Sequence, residues 1–147
     1  MVDWSKQLYW EDVKVDDEIP AIANGITIQR LVMEAGANRD FAPIHHNREI
    51  AQGQGAPDMY ANNMFIQGML ERMIREYIGA KGRLRKLGPF RMGIFNCAGD
   101  TVTTKGKVVN KIEQNGEKLV ELQVWCENSQ GISVGPSPAV VSLPSKG

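Results

Sequence analysis

The chain is short of the residues that staple or metallate a small protein. Its 147 residues hold two cysteines, Cys97 and Cys126. A disulfide framework needs more, so the pair reads as reduced thiols of a cytoplasmic protein. Histidine is equally scarce, with His45 and His46 adjacent and no others. Neighbouring side chains diverge in an extended segment, whereas zinc ligands commonly lie about two to five residues apart with further His or Cys to complete the sphere. The sequence therefore predicts no metal and no other cofactor. A surplus of one charge is also missing, because 17 Lys and Arg offset 17 Asp and Glu. That balance argues against a nucleic-acid partner, whose footprint is a strong basic excess. No run reaches the ~18 uncharged apolar residues of a membrane span, so no membrane partner is expected. The opening Met1-Val-Asp-Trp-Ser-Lys6 has no apolar signal core, which argues against export.

What is present suits one domain over residues 1–147, by the rough rule of ~150 residues per domain, with length enough for a core that needs no staple. The charge is unevenly spread. Residues 1–20 carry four more acids than bases, and residues 81–91 carry Lys81, Arg83, Arg85, Lys86 and Arg91 with no acid. From Asn62 to Ile78 apolar residues recur at helical spacing (Phe65, Ile66, Met69, Leu70, Met73, Ile74, Tyr77, Ile78), with Gly79 as a stop. The apolar surface of this helix is broad enough to be wrapped on more than one side. Ahead of it, Ile26-Thr-Ile28 reads as a short strand and Leu31 to Ala35 as a short helix, while Pro43, Gly53, Gly55 and Pro57 mark residues 41–58 as an ordered loop. Behind it the chain reads as strand. Thr101 to Asn110 alternates, Asn115-Gly116 signals a hairpin, Lys118 to Glu127 is its partner, and Ile132 to Leu143 makes a last strand after a turn at Ser129–Gly131. The pattern predicts an α+β fold, with an antiparallel β-sheet wrapped around one long central helix.

Several motifs fail on context. Gly131-Ile-Ser133-Val-Gly135 matches a hydrolase nucleophile elbow, but that elbow needs a helix directly after it and a later histidine. Here prolines lead into a strand and both histidines lie upstream. Gly53-x-Gly55 lacks the third glycine of a dinucleotide loop, and no phosphate-binding P-loop occurs. What survives is Asn38-Arg-Asp40-Phe-Ala-Pro43-Ile-His45-His-Asn47. Asp40 and His45 stand five residues apart across Pro43, which holds Ala42 extended. A carboxylate and an imidazole that share a water form a general acid/base pair. The same residues also fit a plainer role, with Asp40 capping a helix end and His45 as a satisfied loop histidine.

The run Asp40-Phe-x-Pro-Ile-His45 resembles the hydratase signature of MaoC-like acyl dehydratases, the (R)-specific enoyl-CoA hydratase branch of the hot-dog fold. Ile66-Gln-Gly68-Met-Leu70, Gly99-Asp-Thr-Val102 with Gly106-Lys-Val108, and Val140-Val-Ser-Leu-Pro144 are similar to further segments of that family. The resemblance spans residues 25–144, in a hot-dog domain with a core of about residues 20–144. Arg39-Asp40-Phe41 with His45-His46-Asn47, then Gly55-x-x-Asp58-Met-Tyr60-x-Asn62 and Gly68-Met-Leu-x-Arg72, resemble more closely the hydratase subunits of bacterial steroid side-chain degradation.

The resemblance implies an enoyl-CoA hydratase, run in reverse a 3-hydroxyacyl-CoA dehydratase, in which Asp40 and His45 activate water. It makes the Gly68 N–H, placed at the start of the long helix, the donor to the thioester oxygen, and Phe41, Asn62 and Met69 substrate-binding residues. It also implies an acyl-CoA substrate, with a bulky steroid thioester as the form that the closer likeness suggests, and a homodimer or a heteromer with a second MaoC-like chain. Gly68 reads equally as a helix-packing glycine, and the methionines 59, 64, 69 and 73 as core or as pocket lining. Arg83 and Arg85 would meet CoA phosphates or simply face water. A hot-dog thioesterase and a non-catalytic acyl-binding subunit are the competing activities. The chain departs from the family pattern at Ala42, commonly Asn, and at Gln67, often His, and its segment between His45 and Gly68 is longer.

Overall fold

Five strands and three α-helices make up residues 3–147, the residues that the computed structural model describes. Strand β1 (Glu18–Gly25) grows out of the acidic head. Two residues beyond its end stands Thr27, whose Oγ1 accepts the Arg30 N–H at 3.1 Å and so opens helix α1 (Ile28–Asn38). The strand expected at Ile26-Thr-Ile28 is therefore not there. The β-branched run is a buried Ile26 whose N–H bonds the Asp100 carbonyl, a cap, and the first helical residue.

Residues 41–58 are more ordered than their prolines and glycines suggest. Pro43 opens a 3-10 turn (Pro43–His45), and the Asn47 carboxamide accepts the Ile50 N–H at 3.1 Å to cap α2 (Arg48–Gly53). Helix α3 (Asn63–Ile78) follows with Asn62 as its cap and Gly79, at φ 75°, as its stop.

The basic stretch contributes β2 (Arg83–Leu87), and the rest of the sheet is β3 (Thr101–Gln114), β4 (Glu117–Asn128) and β5 (Gly131–Ser142). Asn115 and Gly116 both have positive φ, 53° and 77°, as a tight hairpin with two left-handed residues demands. The strands pair antiparallel throughout, in the order β1-β3-β4-β5-β2. Helix α3 touches β1 and β2, the two edges, as well as β3 and β4 between them, so the sheet curls around it as expected. Ile66, Leu70, Met73, Ile74 and Ile78 of the helix meet Val102, Val108, Val120, Leu122, Val124 and Val141 of the concave face in one buried core. Each such side chain removed from water contributes about 1.5–3 kcal/mol, and this burial fixes the helix against the sheet. Helix α1 and the 3-10 turn lie before α3 in the chain and carry the residues singled out for chemistry.

Candidate active site

The end of α1 sets the site. Arg39 takes the left-handed conformation at φ 57° and turns the chain off the helix, while the Asp40 N–H still reaches back to Ala35 O at 2.9 Å. The 3-10 turn then swings His45 inward. His45 Nε2 lies 3.2 Å from Asp40 Oδ2, with the His45 side chain 6% exposed and that of Asp40 37%. The other ring nitrogen, Nδ1, is 2.7 Å from the Tyr60 carbonyl. A carbonyl only accepts, so Nδ1 carries a hydrogen and Nε2 is left to exchange a proton beside the carboxylate. Tyr60 is held in turn by a bridge to Cys97, and its ring meets His45 edge-on at 5.3 Å and Phe95 at 4.7 Å. His46 is exposed and makes no side-chain hydrogen bond, so the two adjacent histidines part company as the sequence suggests.

Asn62 ties this pair to α3. Its Oδ1 accepts the Phe65 N–H at 2.9 Å as the helix cap, and its Nδ2 donates to Asp40 Oδ2 at 2.8 Å. That hydrogen bond is the largest cause holding the Asp40 carboxyl below the ordinary carboxylate range, assisted by the Ala42 N–H and by His45. Asn62 is thus buried and bonded to the acid rather than presented as a free substrate contact. With Asn62 capping Phe65, the N–H groups of Asn63 and Met64 are the first-turn donors that helix geometry leaves free. Both residues line a hollow of about 270 Å³ shared with Asp40, His45, Tyr60 and Asn62.

Gly68 is placed differently from the expectation. It lies in the second turn of α3, not at its start, so its N–H belongs to the helical ladder and is not a free donor. A Cβ built on it would meet nothing within 4 Å, so close packing does not require a glycine there either. Gly68 and Met69 instead line a larger cavity, of about 470 Å³, between α1 and α3. Met33, Ala37 and Phe65 share its apolar wall, and Arg30, Glu34, Arg72 and Asn24 supply its polar groups.

Of the remaining residues, Met59 and Met73 are core, Met64 is exposed, and Phe41 stands 69% exposed beside Asp40. Arg83 and Arg85 project from β2 into a separate hollow whose lining shares no residue with that around Asp40 and His45. Arg85 is paired there with Glu117 and Ser142. Ser133 is buried in β5 with its hydroxyl on Cys126 O, in a strand rather than an elbow. Both thiols are free, and burial pushes that of Cys126 up to about 12.

Two contributors escaped sequence reasoning. The helix-start donors could have been found from Asn62 as a capping residue, which places the first turn at 63–65. Glu34 is the other. It sits on the cavity side of α1, its Oε1 accepts from Asn38 Nδ2, its buried Oε2 has no partner among the described residues, and burial raises its pKa. Its polar side chain between Leu31 and Ala35, both buried, was the available signal.

A curled antiparallel sheet around one long helix is the hot-dog fold that solved MaoC-like dehydratases and R-hydratases share, and here an Asp–His pair stands beside the first turn of that helix. No family model matches the sequence. It is similar to the 3-oxo-4,17-pregnadiene-20-carboxyl-CoA hydratase beta subunit of Mycobacterium tuberculosis, at 35% identity over 78 residues. That match covers 53% of this chain and 60% of the relative, so it spans less than two thirds of either. Among solved structures, the ChsH1-ChsH2 complex of Mycobacterium tuberculosis superposes with a TM-score of 0.80 at 27% identity, over 88% of this chain and 98% of that chain. R-hydratase PhaJ1 of Pseudomonas aeruginosa shares the fold, with a TM-score of 0.82 at 18% identity over 95% and 88% of the two chains.

Proposed function

We propose that the protein is an enoyl-CoA hydratase, adding water across the trans-2 double bond of an acyl-CoA thioester. The observation that carries this reading is the 3.2 Å contact between His45 Nε2 and Asp40 Oδ2 beside the free N-terminal turn of α3. Hydration needs a base for water, an acid for Cα, and donors for the thioester oxygen. Asp40, held ionised by Asn62, takes a proton from water as its oxygen bonds to Cβ. The double-bond electrons move to Cα and on to the thioester oxygen, where the Asn63 and Met64 N–H groups receive the charge. A doubly protonated His45 gives the Nε2 proton to Cα, the enolate collapses, and Asp40 returns its proton to Nε2 across the short contact. Atoms and charge balance, and both groups are reset.

The cavity between α1 and α3 is the site we assign to the acyl group. Its volume of about 470 Å³ falls within the ~300–1,000 Å³ of small-molecule pockets, and its wall is mostly apolar. A bulky alicyclic thioester, of the steroid kind named for the curated relative, suits it better than the small hollow beside His45. The two-chain solved relative favours assembly with a second MaoC-like chain, and a homodimer is the other arrangement compatible with the fold.

The deciding experiment presents enoyl-CoA thioesters from crotonyl to steroid, following loss of enoyl absorbance and release of free CoA in parallel, with and without a second MaoC-like chain. A hydratase bleaches the absorbance without releasing CoA. Release of CoA instead would make it a thioesterase, and no turnover in either assembly would leave an acyl-binding subunit.

A further inference from the structure

Two carboxyl groups lie around Asn62, and only one of them has a role in the proposed hydration. Asp40 is half-exposed and takes the Asn62 amide hydrogen at 2.8 Å. Glu34, one turn and a half earlier on α1, ends in a buried oxygen that has no hydrogen-bond partner among the described residues. An ionised carboxylate left unpaired away from water is costly, whereas its neutral form is tolerated.

We propose that Glu34 governs the charge of the site, as a second carboxyl whose neutral form keeps the surroundings of Asp40 and Asn62 to a single negative charge. The inference rests on the hydratase reading.

The groups that face Glu34 come from each neighbouring element. Asn38 bonds it from α1, and Asp40 stands beyond the end of that helix. His45 comes from the 3-10 turn and Asn62 from the cap of α3. Arg30, one turn earlier on α1, and Arg72 of α3 line the same cavity. Burial is the largest influence and raises the Glu34 pKa, and the Asp40 charge raises it further, while His45, Asn62 and Asn38 pull the other way. Asp40 is displaced downward. Carboxyls whose surroundings drive their titrations apart divide the acid and base roles between them. Once ionised, Glu34 places a second negative charge beside Asp40 while enolate charge develops on the substrate. The chemical step suffers, and substrate binding does not.

The test combines pH profiles of kcat and KM on crotonyl-CoA with carbon NMR titration of the side-chain carboxyls. In the wild type kcat falls on the alkaline side at the Glu34 midpoint, with KM flat. Glu34→Gln and Glu34→Leu, both uncharged at every pH, each lose that fall. Without any turnover, Asp40→Asn lowers the Glu34 midpoint. An alkaline limb unchanged in Glu34→Gln, or a Glu34 midpoint that Asp40→Asn does not move, overturns the proposal. If the wild type hydrates no enoyl thioester, the hydratase reading falls, and the NMR titration alone decides whether the two carboxyls are coupled.

Discussion

Asn62 Nδ2 donates to Asp40 Oδ2 at 2.8 Å while the same side chain caps α3 through the Phe65 N–H. One carboxamide therefore fixes both the carboxylate and the first turn of the helix that faces it. The Asp40 carboxylate and the free N–H groups of Asn63 and Met64 are thus placed relative to one another by a single residue.

Asn62→Ala is expected to separate these two jobs from Asn62→Asp. Alanine removes the cap, at about 0.5–2 kcal/mol of stability. It also removes the largest influence that lowers the Asp40 pKa. A base works above its pKa, so the acid limb of kcat/KM moves to higher pH. Aspartate keeps the cap, because Asp is as good an N-cap as Asn, but sets a second charge beside Asp40. Thermal melting should drop for both near neutral pH, with the aspartate variant recovering at acid pH where one of the paired carboxyls is protonated, and the acid limb should move further up for the aspartate one.

Asp40→Asn and His45→Gln are each expected to lower kcat by ~10²–10⁴-fold with crotonyl-CoA or a steroid enoyl-CoA as substrate. Asparagine still presents an oxygen to Asn62, so melting should change little. Circular dichroism melts and absorbance kinetics on the same preparations check this, and near-normal hydration by both variants would remove the pair from the chemistry.

Much of this was legible in the sequence because periodicity survives without tertiary context. The spacing of Phe65 to Ile78 located α3 within a residue, and Asn115-Gly116 located the β3–β4 hairpin. The Asp40–His45 pair could be singled out because Pro43 bends the chain between two side chains of suitable chemistry. What escaped depends on termini and burial. Thr27, Asn47 and Asn62 each turned out to be a cap, and each moved an element boundary. Gly68 was assigned to a helix start that lies five residues earlier at Asn63, since a family likeness carries residues and not helix ends. Glu34 showed in the sequence only as a polar residue between Leu31 and Ala35, and its surroundings come from Asp40, His45 and Asn62, which only the fold brings to α1.

Gly68→Ala is expected to be tolerated and slightly stabilising. A Cβ there meets nothing within 4 Å, and alanine gains about 1 kcal/mol over glycine in a helix interior. Gly68→Leu should instead fill part of the cavity between α1 and α3. The KM for bulky alicyclic thioesters rises, while crotonyl-CoA, too short to need that space, keeps its kinetics. Equal effects on both substrates would take the acyl group out of this cavity.

Gly106→Val tests the curl of the sheet around α3. Gly106 sits on β3 opposite Ile19 of β1 and Val124 of β4, and a Cβ on it would stand 2.8 Å from Ile19 Cδ1, 3.0 Å from Val124 Cγ1 and 3.2 Å from Gln123 O. Two of those atoms are side-chain ends, but Ile19 is buried and the third is backbone, so neither edge of the contact yields freely. A β-branched residue must push β1 outward from the core. Overpacking of this kind costs about 1–3 kcal/mol, and Gly106→Ala should cost less. Chemical denaturation should show the midpoint falling in the order wild type, alanine, valine with little change in slope. A valine variant as stable as the wild type would mean that β1 moves without loss, and that the strand is not held by this close approach.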